Sequence, residues 1–282
     1  KIMKKFIVVF LVGVLFSTIL IKQQIQAQNV VDGVYIKENI PGKRPIPFPH
    51  LREADILWTK KIWQVIDCRE KMNHPFYYPT VDMDDRRSLI SLFIYGINNE
   101  GLTAYKDEEF KDFYTRDEVY SQFDALPDTS WVPDPNTGEM VQKIIEGEIK
   151  YEEVLQYEIK EQWYFDKQHS TLKVRILGIC PIRKYMDQET GQLRKARTFW
   201  IYFDEARPLM ANQEVFNRHN DAQRISFDDL FFQRRFESYI TKESNVYDNR
   251  EVVQYLSGLN TLLEAERIKQ EIFEFEHDLW EY

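Results

Sequence analysis

Apolar positions along this chain change period from one third to the next. Between residues 50 and 69, Leu51, Ala54, Trp58, Ile62 and Val65 recur at three and four residues, and Leu57, Trp63 and Ile66 widen the stripe. That spacing predicts a helix buried on more than one side. A second buried helix is expected at about 85–97, around Leu89, Ile90, Leu92, Phe93 and Ile94. A short strand is expected at Gly101–Tyr105, and a short helix at Thr115–Phe123, where Thr115 and Glu118 have capping-box spacing. The middle of the chain alternates instead. Leu155, Tyr157, Ile159 and Trp163 occupy every second position, as do Leu172, Val174, Ile176 and Cys180, with Asp166–Ser170 as the hairpin connection. A further strand covers Thr198–Phe203. Turns ending in glycine at Asp134–Gly138 and Asp187–Gly191 complete an antiparallel meander over about 139–204. The last third returns to helix. Ser226 and Asp229 form a capping pair, and Ala265, Ile268, Ile272, Phe275 and Leu279 mark a long helix over about 250–280 that is open to interruption at Gly258. Its spacing fits packing on one partner helix. The fold class expected is therefore α+β, with helices around an antiparallel sheet and a long C-terminal helix.

The two ends of the first fifty residues differ from this pattern. Lys4-Lys5 followed by an apolar run from Phe6 to Ile21, a polar stretch and Ala27 reads as a signal peptide over residues 1–27, cleaved near Ala27. The run is shorter than the ~18 residues that suggest a spanning helix. Residues 28–49 read as an extended arm, because Pro41, Pro45, Pro47 and Pro49 fix φ and remove amide donors. Arg44 and Phe48 sit among these prolines. The arm is either a linker pinned to its own domain or a strap across a neighbour. Residues 50–282 are taken as a single domain.

Charge narrows the ligands. The 46 acidic and 37 basic side chains give a net charge of −9, and loss of Lys1, Lys4, Lys5 and Lys22 with the signal peptide takes it to −13. Such a chain is a poor match for nucleic acid, which needs clustered cations. Catalytic motifs do not emerge either. There is no G-x-S-x-G, no H-E-x-x-H and no C-x-x-C, and the five histidines are scattered. The calcium-like openings at Asp82 and Asp134 lack the closing acid, with Phe93 and Ile145 in its place. No catalytic, cofactor-binding or metal-binding residue is assigned. In an exported chain Cys68 and Cys180 are either one disulfide or two buried thiols. The candidate interface residues are Arg44, Pro45, Pro47 and Phe48 of the arm together with Trp58 and Trp63.

Two segments carry a resemblance beyond periodicity. One runs from Pro45 through His50-Leu-Arg-Glu-Ala-Asp-Ile-Leu-Trp58 and Ile62-Trp-Gln-Val-Ile-Asp-Cys68 to His74-Pro-Phe-Tyr-Tyr-Pro79. The other is Lys242-Glu-Ser-Asn-Val-Tyr-Asp-Asn-Arg250, continued by Leu262-Leu-Glu-Ala-Glu-Arg-Ile-Lys269 and Phe275-Glu-His-Asp-Leu-Trp-Glu-Tyr282. Both resemble the GldN (PorN) gliding-motility family, over about residues 32–282. The resemblance implies a non-enzymatic periplasmic subunit of the type IX secretion system, without cofactor. It implies self-association in a ring with an outer-membrane lipoprotein of the GldK/PorK kind, and coupling to a GldM/PorM-like shaft. It places the protein at the outer membrane through that lipoprotein. The rival readings are an exported monomeric adaptor and a glycan-active periplasmic enzyme.

Overall fold

The segment expected to be the first helix is a strand. The computed structural model describes residues 42–83, 86–126, 128–133, 140–145, 147–187, 191–217, 220 and 222–279, with 128–133 and 140–145 as backbone alone. Within it, β1 runs over Ile56–Asp67. Its first half alternates between half-buried Ile56, Trp58 and Lys60 and exposed Leu57, Thr59 and Lys61, while Ile62–Asp67 are buried on both faces. Burial on both faces turns a period-two pattern into a continuous run, and a continuous run also satisfies a helical stripe. The β-branched Ile56, Thr59, Ile62, Val65 and Ile66 fit the pleated conformation. The signal peptide and the turn at Asp134–Gly138 lie outside the described residues, as does the arm before Gly42.

Strand β1 sits inside an antiparallel sheet. It pairs on one side with β11 (Tyr239–Glu243) and on the other with β5 (Val154–Asp166). β5 pairs with the long β6 (Thr171–Met186), which continues to β8 (Trp200–Tyr202) and β2 (Ala104–Tyr105). The order is β11-β1-β5-β6-β8-β2, and β7 (Leu193–Arg197) pairs with the far end of β6. The β5–β6 hairpin therefore turns where expected. The glycine turn also holds at its ends: the Gly191 N–H donates to the Asp187 carbonyl at 2.8 Å, with Gly191 at φ +65°. It joins β6 to β7. Two small antiparallel pairs lie apart, β3 (Asp128–Pro133) with β4 (Met140–Ile145) and β9 (Glu214–Val215) with β10 (Ile225–Ser226).

Six helices are described. Pro75 starts α1 (His74–Tyr77), and Ser88 caps α2 (Leu89–Tyr95), which runs on through one π turn to Gly101 at φ +72°. Thr115 and Glu118 form the expected capping box on α3 (Arg116–Ser121). The strand expected over Thr198–Phe203 ends at Tyr202, because Phe203 opens α4 (Phe203–Asn212), and Ser226 with Asp229 caps α5 (Phe227–Phe232). The main core joins Ile66, Tyr157, Ile159 and Ile179 of the sheet to Leu89, Leu92 and Phe93 of α2, Phe203 and Met210 of α4, and Phe227 and Phe231 of α5.

The long C-terminal helix is α6 (Leu259–Asp278), starting after Gly258 at φ +61°. Its apolar stripe meets the sheet edge and not a second helix. Ala265, Ile268 and Ile272 pack with Ile62 of β1 and Ile240 of β11. Burying each isoleucine stabilises the fold by about 1.5–3 kcal/mol. The flatter sheet edge accepts the same narrow stripe that a helix partner would.

Candidate interaction surfaces and buried charge locks

The described part of the arm lies on the chain's own domain. Lys43 pairs with Asp229, the same carboxylate that accepts from the Ser226 N–H at 3.0 Å and hydroxyl at 2.8 Å in the α5 cap. Those donors hold the Asp229 carboxyl below its ordinary range despite the opposing effect of burial, which is the largest single influence on it. Five residues on, the Phe48 ring sits between two guanidinium groups, Arg207 at 4.2 Å and Arg175 at 4.6 Å from its centroid. It also packs on Phe232, with ring centres 6.5 Å apart. Arg175 Nη2 donates to the Pro49 carbonyl at 3.1 Å. A groove of about 540 Å³ opens beside this seat, lined by Pro45, Pro47 and Phe48 with Arg175, Asp204 and Arg207. Arg44 and Pro47 remain exposed, and Pro45 is half-buried.

Trp58 and Trp63, expected on one helical stripe, face opposite sides of the sheet. Trp58 is half-buried and stacks on Phe275 of α6 with ring centres 4.6 Å apart. Trp63 is 1% exposed and packs with Cys180 and Trp200 in a small second core. Lys242 Nζ stands 4.2 Å from its ring centre and Lys160 Nζ 5.5 Å away. Both ammonium groups are held by Glu108, Lys160 through the carbonyl at 2.6 Å and Lys242 through the carboxylate at 2.9 Å. Burial pushes the Lys160 pKa down, against the pull of Glu108. Phe110 closes this cluster at φ +59°, over Gly178, where a Cβ would meet the Phe110 ring at 2.5 Å. The Trp63 side chain is thus enclosed by its own chain.

The cysteines do not pair. Cys68 lies in the main core and Cys180 in the small core on the other side of the sheet, and both are free. The disulfide alternative is therefore corrected to two buried thiols: the sheet itself stands between the sulfurs. Burial pushes the Cys68 thiol up to about 12, and the Cys180 thiol further still. Neither is a nucleophile at neutral pH.

Among the described residues the buried carboxylates are engaged. Glu158, 1% exposed, is bound by Arg197, whose Nη2 donates at 3.0 Å and also reaches Glu251 at 2.6 Å. Burial raises the Glu158 pKa, with Arg197 drawing it back. Glu161, fully buried, accepts from Arg234 at 2.7 Å, Gln64 at 3.0 Å and Trp163 Nε1 at 3.1 Å. Asp228 holds Arg207 at 2.9 Å. Asp67 is held by Arg69 and by Gln156 at 2.8 Å, and the Arg69 guanidinium keeps its carboxyl well below the usual range. Apart from Asp67 with Arg69 and Glu161 with Trp163, these locks join segments far apart in sequence, so no local motif announces them. One signal is Glu161, a charge at the β5 position where the alternation of Leu155, Tyr157, Ile159 and Trp163 calls for an apolar residue. Among the described residues, no group of three or more His, Cys, Asp or Glu side chains is placed to hold a metal ion, and no helix is long and apolar enough to cross a membrane. What the arrangement offers chemically is cation–aromatic and ion-pair recognition at a surface, with Cys68, Cys180 and the four buried carboxylates above committed to the fold.

The family model described as Gliding motility associated protein GldN matches residues 51–281. No curated protein matches the chain.

Proposed function

The chain belongs to the GldN family, and from that premise we propose that it is a non-enzymatic structural subunit of the gliding and type IX secretion machinery. The match over residues 51–281 carries the reading, because it takes in nearly every described element of the fold. Membership makes the chain a component of gliding motility and type IX secretion. The finer proposal is a periplasmic ring subunit, assembled with a GldK/PorK-like outer-membrane lipoprotein and coupled to a GldM/PorM-like shaft. A scaffold role agrees with thiols that are held protonated and carboxylates that are tied to arginines. It also agrees with apolar side chains left at the surface from the loop after β11 into the first turns of α6, where Val246, Tyr247, Val253, Leu259, Leu262 and Leu263 are each more than half exposed.

A monomeric adaptor is the second reading, and the seat of Lys43 and Phe48 on their own domain favours it over a full-length strap. The arm's share in subunit contacts is then proposed for Arg44, Pro45 and Pro47, with Trp58 beside α6. Co-expression with the lipoprotein, followed by purification and particle imaging, separates the two. Ring particles holding both chains are expected. A protein that stays monomeric and leaves the lipoprotein unbound would overturn the ring reading.

A further inference from the structure

Two clusters of opposite charge stand at opposite ends of the sheet, and each breaks a local rule. At one end β6 and β7 project as a ribbon. Lys184 and Lys195 lie directly opposite each other in its register. Like charges across a strand pair destabilise it. Among the described residues neither lysine forms a direct ion pair with a carboxylate. Burial and then Arg69 push the Lys184 pKa down, Asp67 pulls it back, and Lys195 adds to the downward push. Two pairs further out, past Tyr185 and Arg194, Met186 and Leu193 stand opposite each other, each 67% exposed. Among the described residues no strand covers the outer edge of β7.

At the other end is the close of α6. Glu274, Glu276 and Asp278 crowd its last two turns, where the helix dipole disfavours negative charge. Glu274 accepts only from the neutral Gln270, at 3.1 Å, and among the described residues Glu276 and Asp278 have no cationic partner. Phe273 beside them is 59% exposed. The placement follows from pairing. Phe275 stacks on Trp58, Trp58 is opposite Phe165, and Phe165 is opposite Leu172 at the start of β6. The ribbon is the far end of that same strand, up to about 46 Å away at ~3.3 Å per residue.

We infer that copies of this chain meet head to tail, with the β6–β7 ribbon of one copy seated on the C-terminal end of α6 in the next. Lys184 and Lys195 then face Glu274 and Asp278, which share one exposed helix face, while Met186 and Leu193 cover Phe273. Two clusters unfavourable within one copy neutralise each other between copies. A contact between two different patches is heterologous, so it propagates with a fixed direction and closes into a ring if the rotation allows. The inference rests on the reading that the chain self-associates and names the surfaces that do so.

Charge exchange tests it. The chain is co-expressed with the lipoprotein and its particles are counted by electron microscopy and mass photometry. K184E/K195E and E274K/D278K are each expected to cut multi-copy particles at least tenfold. Their combination, which restores opposite charges, is expected to recover at least half. Either reversal assembling like the wild type, or a combination as poor as its parents, overturns the head-to-tail contact. Particles missing from the wild type would reject the ring reading itself, and this contact with it. A measurement that leaves the charges nearly intact uses K195C/D278C with a bismaleimide cross-linker, the native cysteines being buried. A ladder of linked copies is expected, with none from K195C alone. Intact particles without a ladder overturn the inference.

Discussion

Replacing Phe48 by alanine discriminates between an arm that belongs to its own domain and one that only passes over it. In the structure the ring is half-buried between Arg175 and Arg207 and against Phe232. Half the area an aromatic side chain can bury is about 100 Å², and at ~25 cal/mol per Å² its loss costs about 2 kcal/mol after allowance for the methyl that remains. Each cation–aromatic contact adds about 0.5–1 kcal/mol at a partly exposed site. The expected destabilisation is therefore about 3 kcal/mol. For a domain of this size, about 2–4 °C of melting temperature follow each kcal/mol, so F48A should melt roughly 6–12 °C lower. K43A is the control. Its ion pair with Asp229 is partly exposed, the Lys43 side chain being 46% accessible, and such pairs contribute about 1 kcal/mol or less. Urea unfolding of the mature chain followed by tryptophan fluorescence gives both numbers. An F48A midpoint within error of the wild type would refute the seat and return the arm to the role of a free strap. Loss of stability in F48A also means that deleting residues 28–49 disturbs the fold, so assembly tests of the arm need shorter deletions that stop before Lys43.

Trp63→Ala should cost about 3–5 kcal/mol in the isolated chain, because it empties a site enclosed by Cys180, Trp200 and two ammonium groups; unfolding unchanged from wild type would show the ring to be dispensable to the fold. Asp67 has its folded pKa depressed below the ordinary 3.8, so it contributes stability above that value that is lost as pH falls through it. D67N should lower stability at pH 7 by about 1.5–3 kcal/mol and flatten the decline between about pH 4 and pH 2; an unaltered slope in acid denaturation would remove Asp67 as its source. Cys68 and Cys180 should react with a thiol reagent only in denaturant, with two thiols titrated whether or not reductant is present; a single thiol or none without reductant would contradict their separation by the sheet.

What could be read from the sequence was set by how local each signal is. The capping boxes at Thr115 and Ser226 need only four residues, and both helices start there. The β5–β6 hairpin announced itself because each strand keeps its alternation long enough to be counted. The α6 stripe was legible, but its partner was not, since a sheet edge and a helix ask for the same row of Ala265, Ile268 and Ile272. β1 reads as a helix for a physical reason: with β11 on one side, β5 on the other and both faces covered, Ile62–Asp67 is polar only at Gln64 and Asp67, three residues apart, and lacks the alternation that reveals a strand. α4 was missed because Trp200-Ile-Tyr202 leads straight into it without a break, and Pro208 lies within it. Of the candidate interface residues, Trp63 and Phe48 are enclosed or seated by partners that include Lys242 and Arg207, each more than a hundred residues away, which no local pattern contains.

The buried ion pairs explain how such a surface is kept in place. Replacing a buried pair by apolar groups is often neutral, so these locks add little to net stability; removing one partner alone costs about 3–5 kcal/mol, so they strongly penalise any other arrangement. Arg197 ties the last residue of β7 to Glu158 of β5 and to Glu251. Arg183, opposite Ala196 in the same ribbon, is 5% exposed and bound by Glu153 and by Asp124 at 2.8 Å. Both arginines sit at the root of the ribbon, and Lys184 and Lys195 lie one and two residues beyond them. A root fixed by two guanidinium groups cannot relax by slipping register, since a slip of one residue would turn every side chain to the other face. The unpaired lysines are consequently held together in spite of their repulsion. The same logic operates at the opposite end, where Ile268, Ile272 and the Trp58–Phe275 stack hold α6 against the sheet and keep its acidic last turns where they are. Charges that a free surface would disperse are displayed at two fixed points of one rigid strand system, which is the arrangement a directional contact between copies requires.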